Sequence, residues 1–121
     1  MKTLHLPLKA QWYEMIKSGV KTEEYREIKP YWVQRLTRYG CDEQLNGRLY
    51  ADFLASSPDV LKYNIEQRLN SYAKYDAVKF SYGYTKQTMT FEIGSITIGK
   101  GNPEWGAPTE DVFIIKLGKR V

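Results

Sequence analysis

Apolar positions along this chain repeat now every two residues, now every three or four, and each change of period marks an element. Leu4, Leu6 and Leu8 alternate with Thr3, His5 and Pro7, which predicts a first strand with Pro7 at a sheet edge or strand end. Over residues 9–18, Trp12, Met15 and Ile16 fall at i, i+3 and i+4, the spacing of a short helix with that stripe toward the core. Ser18-Gly19 then stands where a left-handed residue ends a helix, and the chain turns into a strand reaching about Ile28. Pro30 opens a second helix with Trp32, Leu36 and Tyr39 on one face.

Residues 41–47 read as a loop and Leu49 to Ala55 as a weakly helical run. Ser57 as N-cap, Pro58 at the first position and Asp59 beside it signal another helix start. Leu61, Ile65 and Leu69 form its apolar face, either core or docking surface. From residue 76 the period is two: Val78, Phe80 and Tyr82 share a face, and Gly83 begins a turn toward Gln87. Met89, Phe91 and Ile93 are odd, whereas Ile96 and Ile98 are even, so one extra residue at Gly94-Ser95 predicts a β-bulge. Residues 99–108 are a loop of turn formers, and Val112 to Leu117 is a near-continuous apolar run suited to a central strand. The sum is an α+β domain of four or five strands and three or four helices. A twisted sheet that must hide its edges closes most simply into a small barrel.

A length of 121 residues supports one core and therefore one domain, 1–121. The net charge of +4 is concentrated: residues 1–40 carry eight Lys/Arg against four acids, and the remainder is nearly balanced. Such a bias suits a phosphate-bearing partner, or a basic solvated surface. Ten tyrosines against four phenylalanines supply flat faces with polar rims, for stacking or for barrel walls. The lone cysteine, Cys41, excludes an internal disulfide and fits a cytoplasmic protein. No stretch approaches the roughly 20 apolar residues of a membrane span.

Charge is densest in Gly19-Val20-Lys21-Thr22-Glu23-Glu24-Tyr25-Arg26. In a regular strand Glu24 and Arg26 share a face and Lys21 points to the other; all three converge only if the backbone near Gly19 is irregular. Converged, they make an anion or nucleobase pocket: a guanidinium fork, an ammonium and an orienting carboxylate. Splayed, they are a surface salt-bridge ladder. Trp105, in the Gly/Pro-rich loop, is either a stacking platform over such a cleft or a plug in one barrel end. Tyr82, beside Gly83, allows the same two readings, and Tyr25 packs on the barrel wall. His5 is the only histidine, which excludes a two-histidine phosphodiesterase, and on an alternating strand it points away from the leucines. No ligand spacing suggests a metal, Gly99-x-Gly101 precedes no helix, and no P-loop is present, so no cofactor is implied.

The octet also reads Gly-x-Lys-x-x-Glu-x-Arg, and Gly19, Lys21, Glu24 and Arg26 match the four defining positions of the ASCH family, which is related to PUA domains. The leucine-rich strand and first helix, Tyr-Asp-x-Val-x-Phe at 75–80, and Glu-Trp-Gly followed by Phe-Ile-Ile-Lys-Leu-Gly resemble its phage and bacterial members. The resemblance covers residues 1–36 and 75–118, and leaves 41–73 as a helical, insertion-like segment. It implies a PUA-like β-barrel of about five strands with flanking helices. It also implies RNA or nucleotide binding in a cleft lined by Lys21, Glu24 and Arg26, with Tyr82 and Trp105 as further ligand contacts. Some relatives resemble acetylcytidine amidohydrolases and use the motif lysine, a threonine where this chain has Glu24, and a later glutamate, for which Glu66 and Glu104 are candidates. The alternatives are therefore a hydrolase of modified nucleosides or RNA, with Lys21 and Glu24 catalytic, and a protein-interaction module on helices 41–73.

Overall fold

In the computed structural model, which describes residues 2–38, 47–68 and 70–121, the opening alternation forms β1 (Thr3–Leu8). Leu4, Leu6 and Leu8 are buried while His5 and Pro7 face out. β1 is an edge strand, where a residue without an N–H breaks no ladder. α1 (Ala10–Lys17) ends on Ser18, and Gly19 follows at φ +86°, the left-handed conformation that glycine adopts without a Cβ clash. The turn is closed by Gly19 N–H on the Ile16 carbonyl at 3.1 Å and Lys21 N–H on the Met15 carbonyl at 3.0 Å. β2 (Glu23–Glu27) and α2 (Pro30–Leu36) come next, the latter with proline in its first turn.

α3 (Gly47–Ser56) and α4 (Pro58–Glu66) lead to β3 (Ala77–Tyr82), β4 (Thr88–Gly99), a 3-10 turn (Pro103–Trp105) and β5 (Val112–Arg120). The five strands form one mixed sheet in the order β1-β3-β4-β5-β2. β1 and β3 are parallel, with Leu4 beside Val78, and the other pairs are antiparallel. β5 lies between β4 and β2, the interior place its apolar run demands. The sheet curls into a half-barrel, and its two edges meet through a side chain: Arg26 Nη2 on β2 donates to the Pro7 carbonyl on β1 at 3.3 Å.

The predicted bulge is present. Ile93 and Ser95 oppose Leu117 and Lys116, two steps on β4 against one on β5, which leaves Gly94 as the extra residue. A second slip lies between Phe91 and Ile93. A Cβ at Gly94 would sit 3.3 Å from the Lys116 carbonyl oxygen, so the absent side chain permits the close approach. Met89 before the bulge and Ile96 and Ile98 after it all reach the same core.

Three expectations need correction. The buried pair on α1 is Tyr13 and Ile16; Trp12 and Met15 are only half-buried. The apolar stripe thus shares only Ile16 with the buried face, because Trp12 faces the loop after β4 instead. Ser57 precedes Pro58 as expected but makes no side-chain capping bond, its backbone lying at φ −135°, ψ 67°. The first helix of the 41–73 segment starts at Gly47, two residues earlier than Leu49. Leu54 of α3 and Leu61 of α4 are fully buried in the same cluster as Leu4 and Phe80, and Ile65 packs partly on it. Tyr39, Cys41, the loop at 41–46 and Leu69 lie outside the described residues. Among the described residues no helix is long and apolar enough to cross a membrane.

Candidate functional site

The turn after α1 does what convergence requires. Because the chain turns at Gly19, Lys21 lies before β2 begins and its side chain is not bound by the alternation of the strand. Lys21 is 1% exposed and Glu24 4%. Lys21 Nζ stands 3.2 Å from Glu24 Oε1, and Arg26 Nη1 stands 3.0 Å from Glu24 Oε2, so one carboxylate holds both cations. The surface-ladder alternative is excluded by that burial.

Lys21 Nζ also donates to the carbonyl oxygen of Trp105, tying β2's entrance to the loop after β4. The ammonium lies 4.7 Å from the ring centroid of Trp12 and 4.9 Å from that of Tyr25, within reach of the electron-rich faces. Tyr25 anchors the same loop: its hydroxyl accepts from Asn102 N–H at 3.0 Å and donates to Glu23 Oε1 at 2.8 Å. Two glycines let the loop come this close. A Cβ at Gly101 would lie 2.8 Å from the Tyr25 ring, and one at Gly106 2.7 Å from Trp12. Asn102 caps the 3-10 turn by accepting from Glu104 N–H at 3.0 Å.

Arg26 differs from its two neighbours in reaching solvent. Its Nη1 donates to its neighbour's carbonyl, that of Tyr25, at 2.7 Å as well as to Glu24, and its Nη2 donates to Pro7. Those contacts use three of its five N–H donors. The guanidinium carbon sits 5.2 Å from the Trp32 ring centroid, and the side chain is 16% exposed. The fork is therefore aimed by a carboxylate, two carbonyls and an aromatic face, with two donors left over among the described residues.

Of the residues expected to contact a ligand, Lys21, Glu24 and Arg26 come together, and Trp105 joins them through its backbone carbonyl. The half-buried Tyr82 ring packs edge-on against Tyr13 of α1, centroids 5.2 Å apart. Trp12, Trp32, Asn102 and the Pro7 carbonyl belong to the site and were not singled out for it from the sequence. Only the two loop glycines, at 101 and 106, hinted that another segment must approach closely there. Among the described residues no group of His, Cys, Asp or Glu is placed to hold a metal ion.

Burial pushes the Lys21 ammonium below its ordinary 10.5; the Glu24 carboxylate opposes this and the Arg26 charge adds to it. Burial likewise pushes the Tyr25 hydroxyl from 10.0 up to about 12, the Asn102 N–H opposing and the Glu23 carboxylate adding. Tyr72 is also raised, chiefly by burial. A group whose folded pKa is raised contributes stability that is whole below its unfolded value and disappears as pH climbs through the folded one. Lys21 acts in the opposite sense, adding stability as pH rises toward 10.5. Urea unfolding is therefore expected to show a fall in stability between pH 10 and pH 12, and Tyr25→Phe should flatten part of that fall. An unchanged slope in the variant would place Tyr25 in water.

Comparison of the chain with protein-family models, curated proteins and solved structures yields no match in any of the three.

Proposed function

We propose that this chain binds RNA or a nucleotide at the Arg26 face of the cluster, with Lys21 and Glu24 as the buried pair that aims the guanidinium. One observation carries the reading: a half-buried fork fixed on three sides, lying on Trp32, with two donors unspent among the described residues. A rigid planar fork matches the paired oxygens of a phosphate or the acceptor edge of a base, and an adjoining indole offers a stacking face. The match of Gly19, Lys21, Glu24 and Arg26 to the ASCH motif supports it, as does the basic first third of the chain. On this reading the curled sheet is the PUA-like barrel of that family, acting in the cytoplasm. Trp105 and its loop are then a cover that a ligand must displace to touch Lys21.

The test is anisotropy of a labelled single-stranded RNA across a salt series. Two or three phosphate contacts should weaken binding roughly tenfold between about 50 and about 200 mM salt. Binding that ignores salt, or the absence of binding to RNA and to free nucleotides alike, overturns the reading.

The lowered pKa of Lys21 favours a second reading, a hydrolase of acylated cytidines or RNA. A desolvated lysine is more readily neutral and can then take a proton, with Glu24 beside it to receive or return one. Product formation abolished by Lys21→Ala would establish it; equal turnover in that variant rejects it.

A further inference from the structure

A second basic concavity lies away from the ammonium-carboxylate-guanidinium cluster. The end of α2 and residues 71–75 enclose a cavity of about 550 Å³, lined by Lys2, Arg35, Arg38, Lys74, Tyr72 and Tyr75 among others. Its walls are fixed by backbone bonds: Arg38 N–H to the Ser71 carbonyl at 2.8 Å, Ala73 N–H to the Leu36 carbonyl at 2.9 Å, and the Thr37–Tyr72 bridge. Tyr75 hydroxyl adds a bond to the Arg35 carbonyl at 3.0 Å. The hollow is thus built in advance of any ligand, which spares the ordering cost of forming it.

Lys2, Arg35 and Lys74 bring positive charge to the cavity beside Arg38, and no carboxylate is among its described lining residues. The nearby Asp76 carboxylate is engaged, accepting from Lys2 N–H at 2.7 Å. Like-charged groups gathered round a hollow repel one another, and a bound anion relieves the repulsion. Size then narrows the class. The volume falls in the range, about 300–1,000 Å³, of sites that enclose a whole organic ligand rather than a bare oxyanion. Tyr72 and Tyr75, both half-buried, supply flat apolar wall beside the charges.

We infer that this cavity is a nucleotide site, taking a 5′-phosphate on Lys2, Arg35 and Lys74 and a base against the tyrosine-lined wall. It goes beyond the reading of Arg26 and does not depend on it. The nucleotide has two sources, a free mononucleotide or one unit of a single strand. Lys2 precedes Pro7 by five residues of extended chain, so the cavity lies roughly 15 Å from the carbonyl that Arg26 holds, a span of a few nucleotides.

The experiment is a titration of the full chain with uridine 5′-monophosphate, followed by the backbone amide resonances of Ser71, Ala73 and Lys74. Parallel titrations use inorganic phosphate, uridine, hexauridylate and hexaglutamate. Saturable shifts with the mononucleotide, weaker ones with phosphate or uridine alone, support the site. Lys74→Glu and Lys2→Gln, both at exposed positions, should raise the mononucleotide Kd, the charge reversal by about tenfold or more. The Kd read at the Ser71, Ala73 and Lys74 amides reports this cavity, and shifts of the Arg26 and Trp32 amides report the other site, which separates failure here from failure there. Tighter binding of hexauridylate, lost in Arg26→Ala, identifies a strand as the source; equal or weaker binding identifies the free nucleotide. The inference is overturned by absent or non-saturating shifts, by phosphate or hexaglutamate matching the mononucleotide, or by a Kd indifferent to Lys74→Glu.

Discussion

Glu24→Ala is expected to lower the free energy of unfolding by about 3–5 kcal/mol, the cost of removing one partner from a buried ion pair. The Lys21 side chain is 1% exposed, and Glu24 is the carboxylate bonded to it, at 3.2 Å. Removal leaves an ammonium beneath the Trp105 loop with a carbonyl and two aromatic faces for company. It also removes an acceptor from Arg26 and one from Tyr25 N–H, which Glu24 Oε1 receives at 3.0 Å. Small domains hold only about 5–15 kcal/mol in total, so this variant approaches the limit of folding. Glu24→Gln keeps an acceptor and loses the charge, and should cost less, about 1–3 kcal/mol. Adding Lys21→Met to Glu24→Ala should restore part of the loss, because an unbranched apolar chain does not suffer from a missing counterion. Urea unfolding measures all three. A Glu24→Ala midpoint equal to that of the native chain would mean that the cluster is solvated and the loop is held by something else.

What the sequence made legible was local. Pro7 marked an edge strand because proline cannot sit in a ladder, and Gly19 marked a left-handed turn because that backbone excludes a Cβ. The phase slip between Ile93 and Ile96 marked the bulge because side chains alternate strictly along a strand. The convergence of Lys21, Glu24 and Arg26 was legible as a condition, an irregular turn, and the turn is there. Burial of the charges was not legible, since it depends on Trp105, 84 residues further on, folding its loop over them. The same distant contact explains why the apolar stripe of α1 misled. Trp12 looks like a core residue by spacing, yet its ring serves the loop at Gly106 and the ammonium of Lys21. Periodicity reports which side of an element is apolar and says nothing of which neighbour covers it. The bond from Arg26 to Pro7 between the two sheet edges was hidden for the same reason, a side chain doing across a gap what ladder bonds do elsewhere.

On the proposed reading Arg26 holds two jobs, clasp and ligand contact, and its substitution separates them. Arg26→Ala is expected to weaken binding to single-stranded RNA by about 1–3 kcal/mol and to make the logarithmic salt dependence shallower by roughly one contact. A residue that only clasped the sheet edges would shift the unfolding midpoint and leave the salt slope alone, because the phosphate contacts would survive in the folded fraction. Arg26→Lys sharpens the distinction. It retains a charge near the phosphate, so the slope should return toward the native value. It forfeits the planar fork that is split between Glu24, two carbonyls and any ligand, so affinity should recover only in part. Trp32, 5.2 Å from the guanidinium, completes the argument. Trp32→Leu keeps an apolar cover over Arg26 but removes the stacking face, and should cost affinity without changing the salt slope. Should all three variants bind with native affinity while their unfolding midpoints fall, Arg26 is a clasp alone and the ligand site lies elsewhere on the molecule.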